Sequence, residues 1–94
     1  MTNPMRASVI PSDSFCSVDG VGFHDVDMSS LLPTTLHAMQ WYETWGEEEY
    51  MDPATRQMQP NVRITSLDGY QAVFDSYWQI RNAAEAAQFD EVTN

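Results

Sequence analysis

The chain has 94 residues, 43% of them hydrophobic, with fourteen Asp and Glu against four Arg and a formal net charge of −10. This length corresponds to one domain, and the hydrophobic content is sufficient for one core. So acidic a surface repels nucleic-acid phosphates and anionic membranes, which argues against both as partners and favours a basic protein. Acidity that only maintains solubility is the alternative.

Cys16 is the only cysteine, which excludes an intramolecular disulfide and any zinc site built on several cysteines. A buried strand position is its commoner role, and the alternative is a nucleophilic thiol beside His24 or His37. Residues 1–15 contain no long apolar run, so no signal peptide is expected, and no stretch approaches the ~20 apolar residues of a membrane helix. The product is therefore expected to stay in the compartment where it is made.

The first part of the chain predicts a small antiparallel meander that follows a flexible tail at residues 1–5. Its strand candidates are residues 6–10, 15–18 and 21–24. Turn-forming residues separate the first two strands, and Asp19-Gly20 is a two-residue type I′ hairpin signal between the second and third. Residues 25–35 form a connector in which Asp27 can cap one helical or 3₁₀ turn that ends at Pro33.

Residues 36–51, rich in aromatic side chains, are interpreted as a β-hairpin. Residues 36–42 form the first arm, residues 47–51 the second, and residues 43–46 the turn, where Gly46 supplies the positive φ of a bulged loop. Alternation places one set of side chains (His37, Met39 and Trp41) on one face and a second set on the other: Leu36, Ala38, Gln40 and Tyr42. Because both faces contain apolar groups, this arm is predicted to be a central strand.

The second arm of the hairpin is predicted to be an edge strand. Glu48 and Tyr50 share one face of it, and the opposite face has Glu47, Glu49 and Met51. Three successive glutamates cannot all be buried without partners, and charges on an edge discourage aggregation between sheets. Calcium loops need carboxylates that converge on one point, whereas neighbouring strand residues point to opposite faces, so a solvated edge is favoured over a calcium site.

The C-terminal part of the chain predicts a loop at residues 52–61, a short extended segment at residues 62–65 and one helix over residues 66–88. Ser66 is the expected N-cap, and Asp68 complements the dipole in the first turn. Apolar residues recur at offsets of three and four, as expected of a helix face that packs on the sheet: Leu67, Tyr70, Val73, Phe74, Tyr77, Trp78 and Ala84. The alanine-rich last turns are expected to project from the body, and residues 89–94 to form a flexible tail.

The chain is therefore predicted to be a single α+β domain, residues 1–94, in which a small antiparallel sheet (meander plus hairpin) packs against one C-terminal helix. Five aromatic residues are predicted to form the core between sheet and helix: Trp41, Tyr42, Phe74, Tyr77 and Trp78. Trp45, at the predicted turn tip, has two open interpretations. It is either an exposed anchor for a protein partner or it folds back over its own hairpin.

No motif points to catalysis or to a bound cofactor, since dinucleotide-binding, P-loop and nucleophile-elbow patterns are all absent. His24 clusters with Asp25 and Asp27, but the two histidines lack the i, i+4 spacing of zinc ligands. We predict no enzyme activity, no cofactor, and no catalytic, cofactor-binding or metal-ligating residues. Metal binding at His24, Asp25 and Asp27 is the alternative.

The segment His37-Ala38-Met39-Gln40-Trp41-Tyr42, followed by Gly46-Glu47-Glu48-Glu49-Tyr50, resembles a pattern in small proteins of bacteriophage and prophage tail modules. The resemblance covers roughly residues 15–85 and includes Val18-Asp19-Gly20-Val21-Gly22, Pro60-Asn61, Ile64-Thr65-Ser66-Leu67 and the aromatic pair Tyr77-Trp78. The chain departs from the pattern at Thr44-Trp45, where smaller or polar residues are expected, and at Glu48, where an aliphatic residue is expected.

The resemblance implies a tail-associated structural or assembly protein (a tail-tip, baseplate or tail-fibre component or chaperone) that acts by protein–protein contact. Other phage tail or fibre proteins are the implied partners, in a homo- or hetero-oligomer, with no nucleic acid and no membrane. The implied location is the virion tail, or the host cytoplasm during assembly.

The hairpin itself supplies the predicted partner-binding residues, Trp45, Glu47, Glu49 and Tyr50, because an open edge can accept a basic strand. The alternative function is an acidic inhibitor of a host defence or nucleic-acid enzyme, of the DNA-mimic type. The net charge fits that alternative, but a mimic needs carboxylates arrayed on one face, whereas these are scattered along the chain.

Overall fold

The computed structural model describes residues 4–93, and side chains over residues 4–87. Over this range the chain is an α+β domain in which a six-stranded antiparallel sheet, in the order β3-β2-β1-β4-β5-β6, packs on one C-terminal helix. The elements are β1 (Arg6–Ile10), β2 (Phe15–Val18), β3 (Val21–Phe23), β4 (Leu36–Tyr42), β5 (Trp45–Tyr50), β6 (Val62–Ile64) and α1 (Gln71–Thr93). The predicted fold class is confirmed.

The N-terminal meander is confirmed, with β1 paired to β2 and β2 paired to β3. Asp19 and Gly20 both adopt positive φ, 50° and 87°, as the type I′ turn requires. β3 ends at Phe23, one residue before the predicted end. Gly22 leaves room for the Phe15 ring, because an added Cβ would lie 2.6 Å from the ring atom Cζ.

Pro4 and Met5 are held against the sheet, so the predicted tail over residues 1–5 is wrong for these two residues. The Trp41 indole Nε1 donates a hydrogen bond to the Pro4 carbonyl at 3.2 Å, and the Glu43 amide donates to the Met5 carbonyl at 2.7 Å. Residues 1–3 of that prediction lie outside the described residues. The segment before β1 thus fastens the end of the β4–β5 hairpin.

The connector between β3 and β4 contains two separate hydrogen-bonded turns rather than the predicted helical or 3₁₀ turn, and the second joins the Leu36 amide to the Pro33 carbonyl. The Leu31 amide donates to the Met28 carbonyl at 3.1 Å, and no helix forms around it. Val26 and Met28 alternate into the core, where their side chains are almost completely buried. The connector therefore contributes core residues, which the pattern of turn-forming residues did not indicate.

β4 is the central strand that was predicted, between β1 and β5. The pairing of β4 with β5 shifts between Leu36 and Ala38, which marks a β-bulge at His37. Strict alternation was therefore wrong at the start of the strand. Leu36 joins Met39 and Trp41 in the core cluster, whereas His37 is exposed.

The turn of the β4–β5 hairpin is shorter than predicted. Tyr42 pairs with Trp45, so only Glu43 and Thr44 lie between the strands, and Glu43 supplies the positive φ of 59°. Gly46 lies inside β5 opposite Trp41, and its φ is not positive. Glycine is required at position 46 by the close packing of β5 against β4, because an added Cβ would lie 2.6 Å from the Gln40 carbonyl oxygen.

β5 is not an edge strand, contrary to the prediction. Gly46, Glu47 and Glu48 pair with Ile64, Arg63 and Val62 of β6 in turn, so β6 forms the edge. The loop between them folds back on itself through a bridge between Met51 and Met58. The extended segment predicted at residues 62–65 is confirmed, but its place beside β5 was not foreseen.

The helix begins with a 3₁₀ turn at Asp68–Tyr70 and continues as α1. The predicted N-cap at Ser66 is wrong by one residue, because Leu67 occupies the N-cap position and makes no side-chain capping hydrogen bond. The Ser66 hydroxyl still accepts a hydrogen bond from the Asp68 amide at 3.1 Å, one residue before the cap. The helical segment therefore begins at Asp68 rather than at the predicted residue 66. α1 extends to Thr93, so the predicted end at residue 88 and the tail beginning at residue 89 are wrong. Asn94 lies outside the described residues.

The core lies between the helical segment and the sheet, and the predicted helical stripe supplies five of the fourteen residues in its buried cluster. Leu67, Tyr70, Val73, Phe74 and Tyr77 are buried against inward-facing residues of β1, β2 and β4: Ala7, Val9, Cys16, Val18, Leu36, Met39 and Trp41. Trp78 and Ala84 are only half-buried, and Ala83, Ala86 and Ala87 are exposed. The prediction was therefore wrong for Trp78 as a core residue, and wrong for Tyr42, which points away from the helix.

Glu48 connects the sheet to the start of the helix. Its side chain lies on the helix side of β5, where the Tyr70 hydroxyl donates a hydrogen bond to Oε2 at 2.5 Å. A second hydrogen bond joins the helix to β3, where the Tyr77 hydroxyl donates to the Val21 carbonyl at 2.6 Å. A carboxylate thus occupies an inward position of β5, and the hydroxyl of a buried tyrosine satisfies it.

The burial of Tyr70 and its hydrogen bond to Glu48 are expected to make the fold less stable at alkaline pH. Burial, and secondarily the hydrogen bond to Glu48, raise the pKa of Tyr70 above its ordinary value. The unfolded phenol ionises near pH 10, so the stability from the neutral folded phenol is present below about pH 10 and is lost above it. We expect the melting temperature to fall more steeply above that pH in wild type than in Tyr70→Phe. Parallel profiles from thermal scans between about pH 8 and 11 would contradict this.

Candidate functional site

The face of the sheet that points away from α1 has no described helix over it. The Trp41 side chain points toward the helix, and Gly46 is its partner on β5. Side chains alternate along a strand, so the next pair, Tyr42 and Trp45, points away from the helix. Most side chains of this open face are at least partly exposed, among them Arg6, Ser8, Gln40, Tyr42, Trp45, Glu47, Glu49 and Arg63, whereas Ala38, which pairs with Glu49, is buried. Two-layer domains usually cover a sheet on one side only, so such a face is available to a partner.

Two aromatic and two arginine side chains on the open face form a continuous row across β1, β4, β5 and β6, which we call the aromatic row: Arg6, Tyr42, Trp45 and Arg63. The rings of Tyr42 and Trp45 have centroids 4.9 Å apart. The Arg6 guanidinium lies 4.9 Å from the centroid of Tyr42, and the Arg63 guanidinium lies 4.5 Å from that of Trp45. A cation therefore stacks at each end of an aromatic pair, which holds both rings in place.

Trp45 is half-buried at the start of β5, where it packs between Tyr42 and Arg63. It therefore folds back over its own hairpin rather than extending from a turn tip. The remaining exposed part of its ring still belongs to the open face, so the contact role and the packing role are compatible.

Glu47 and Glu49 lie on the open face beside the aromatic row. Glu47 pairs in register with Gln40 and Arg63, and its carboxylate accepts only a long 3.5 Å hydrogen bond from Asn61 Nδ2. Gln40 is itself engaged, since it accepts a hydrogen bond from the Ser8 hydroxyl at 2.5 Å. The two glutamates thus add two weakly satisfied negative charges to the face.

The structure brings together three of the four predicted partner-binding residues. Trp45, Glu47 and Glu49 alternate along one face of β5, whereas Tyr50 points to the helix side and packs against the core. Burial, and secondarily the nearby Glu48 carboxylate, raise the pKa of the Tyr50 phenol. The predicted site is therefore a row of three residues on the face of a strand, not an edge.

Three residues of the open face were missed from sequence: Arg6, Tyr42 and Arg63. Tyr42 was placed on the same face as Gln40 by alternation, and this signal could have identified it. Arg6 and Arg63 lie on other strands, and no local pattern gives the register that brings them to Tyr42 and Trp45.

The other polar candidates do not assemble into a site. His24, Asp25 and Asp27 are exposed, and among the described residues no three His, Cys, Asp or Glu side chains are grouped closely enough to hold a metal ion. Cys16 is fully buried in β2, and burial raises the pKa of its thiol to about 12. This favours the structural role of Cys16 over the nucleophilic one, because the thiolate is the reactive form.

A cavity of about 440 Å³ lies at the end of the sheet opposite the Glu43-Thr44 turn. It is lined by uncharged side chains and one histidine: Pro11, Ser12, Met28, Ser29, Leu32, Pro33, Thr34, Thr35, Leu36, His37, Met51 and Pro53. It shares no residue with the open face. The cavity and the open face are thus separate surfaces with different chemistry.

No protein-family model matches the chain, and no curated protein or solved structure matches it either. The described residues include no helix with the length and apolar character needed to cross a membrane.

Proposed function

We propose that this protein works by protein–protein contact, as a structural or assembly component of a bacteriophage tail. The observation that supports a contact role is the uncovered face of the sheet with its row of Arg6, Tyr42, Trp45 and Arg63. The tail assignment is supported by the resemblance to small tail-module proteins. Other tail or fibre proteins are then the partners.

The aromatic row has the properties of an interface anchor. Tyrosine, tryptophan and arginine are the residues that most often dominate binding energy when they are buried at the centre of an interface. Here the rings of Tyr42 and Trp45 are already in tilted contact and each has a guanidinium group over it, so a partner needs to immobilise little side-chain motion on binding. The row can therefore contribute affinity at a low entropic cost.

The distribution of carboxylates gives the DNA-mimic alternative no support. Glu47 and Glu49 lie on the open face, Glu48 lies on the helix side, and Asp68 and Asp75 lie on exposed positions at the start of the helical segment. A mimic would need them on one continuous surface. Contact with another structural protein accounts for the open face more simply.

The experiment is co-expression with the products of neighbouring tail genes, followed by pull-down with wild type, Trp45→Ala and Trp78→Ala. Trp78 is a matched control, because it is also a half-buried tryptophan that stacks with an arginine, but on the helix. We expect Trp45→Ala to weaken capture of a tail protein at least tenfold, which is typical of a hot-spot residue, and Trp78→Ala to leave it unchanged.

Capture of a tail protein with equal affinity by both variants would show that the open face is not the interface. If no tail protein is captured and a host nuclease or defence enzyme is, the inhibitor function replaces the tail function. Melting temperatures of both variants establish that loss of capture does not result from unfolding.

A further inference from the structure

We infer that the partner of the open face is a basic polypeptide segment that runs along β5. It presents an apolar side chain to Trp45, and arginine or lysine side chains to Glu47 and Glu49. This inference rests on the proposed contact function and specifies the chemistry of the partner. It is a statement about the face of β5, because the edge beside β5 is occupied by β6.

The spacing along β5 sets the spacing required of the partner. Trp45, Glu47 and Glu49 are alternate residues of one strand, so their side chains leave the same face about 6.8 Å apart. A partner strand aligned with β5 presents its own side chains at the same interval, and packed sheets keep their strands within about 30° of each other. The matching sequence is therefore apolar-x-basic-x-basic.

The charges on the open face require the cations to come from the partner. Glu49 makes no hydrogen bond or ion pair with the side chains of the described chain, and Glu47 has only the long contact with Asn61. Arg6 and Arg63 are stacked on aromatic rings, and the only ion pair in the described part of the chain joins Arg81 to Glu85. Within the part of the chain that the structure describes, neither Glu47 nor Glu49 forms an ion pair.

Covering this face removes water from two carboxylates, which is unfavourable unless each gains an opposite charge or hydrogen-bond donors. A neutral or acidic segment would leave the carboxylates buried without partners. A basic segment compensates them and also gains from the net charge of −10, which accelerates its approach. The same charges therefore select for one class of partner and against the other.

The test uses a short blocked peptide with leucine, arginine and arginine at alternate positions and serine or threonine between them. A second peptide has glutamate in place of both arginines. Backbone amide NMR signals of the full chain are followed during titration with each peptide. We expect saturable shifts in β4 and β5 with the basic peptide and none with the acidic one.

Two charge-reversal variants separate site binding from general attraction. Glu47→Lys/Glu49→Lys and Asp68→Lys/Asp75→Lys change the net charge equally, but only the first pair lies on the open face. We expect the first variant to bind the basic peptide at least tenfold more weakly than wild type, and the second to retain most of the affinity.

Equal weakening in both variants would overturn the inference, because it would show attraction to net charge alone. Shifts at Met28 and Met51, which line the cavity, in place of shifts in β5 would overturn it as well. The peptide titration does not depend on any tail protein. A failed pull-down with a positive titration therefore rejects the tail assignment but not the partner chemistry, and the reverse result rejects only the partner chemistry.

Discussion

Trp41→Ala is expected to destabilise the fold by about 3–5 kcal/mol, the range measured when large aromatic side chains are truncated in protein cores. Trp41 is 1% exposed in the central strand, where its ring packs among core residues and against Gly46. Truncation leaves a cavity and also removes the hydrogen bond from Nε1 to the Pro4 carbonyl. A domain of this size has on the order of 5–14 kcal/mol of stability, so the loss is a large share of the total.

Chemical denaturation monitored by circular dichroism measures this loss, with Trp78→Ala as the control. Trp78 is half-buried, with an edge-to-face contact to Tyr77 and the Arg81 guanidinium over its ring, so its truncation should cost about 1–2 kcal/mol. Two variants of equal stability would contradict the assignment of Trp41 to the core and Trp78 to its margin. Linear extrapolation with a common slope for both variants is sufficient for the comparison.

Gly46→Ala is the second substitution expected to have a large effect, toward the upper end of about 1–3 kcal/mol for an overpacked interior position. The added Cβ would lie 2.6 Å from the Gln40 carbonyl oxygen and 2.9 Å from Trp41 Cε3. A backbone atom of the neighbouring strand cannot move aside as a flexible side chain can. The β4–β5 pairing must therefore separate locally or the Trp41 ring must shift.

Gly69→Ala is the matched control, because it adds the same methyl group where nothing lies within 4 Å and where φ is not positive. The substitution should be neutral or stabilise by up to about 1 kcal/mol through the unfolded state. Denaturation midpoints of the two variants measure the contrast. A Gly46→Ala variant as stable as Gly69→Ala would mean that strands β4 and β5 are not packed as described.

Elements that a short stretch of residues determines, such as the helix with its apolar repeat and the Asp19-Gly20 turn, were predictable from sequence. The stripe from Leu67 to Tyr77 follows the 3.6-residue repeat, and its buried members are the predicted ones apart from the partly exposed Trp78 and Ala84. Asp19-Gly20 defines its own turn, because few residue pairs tolerate two successive positive φ values. In both cases the information lies within a few residues, where one chain segment is enough to determine the conformation.

Features that depend on a neighbouring strand were not predictable in the same way. Gly46 was interpreted as a turn glycine, but the reason for it is the carbonyl of Gln40 on the next strand. The bulge at His37 and the pairing of β6 with β5 likewise follow from register between strands. Sequence alternation gives the two faces of a strand but not its partner.

The candidate site was predictable to the same extent. Glu47 and Glu49 were placed on one face because they alternate along one strand. Trp45 was included as a turn residue, and its place on the same face of β5 was not foreseen. Arg6 and Arg63 come from strands at either side, so the cation stacked at each end of the aromatic row was invisible from sequence. The acidic residues of the site thus come from one strand, whereas the aromatic row is assembled from four strands, two of which lie outside the β4–β5 hairpin.

The position of β1 in the sheet has a consequence for how the chain folds. β1, β2 and β3 form one local meander and β4, β5 and β6 form another, and the strand pairing between them is that of β1 with β4. Ser8 and Gln40, which hydrogen-bond across this pairing, are 32 residues apart in sequence. Because the entropy of closing that loop falls on one strand pair, we expect formation of the β1–β4 pairing, rather than of the local turns, to limit the rate of folding.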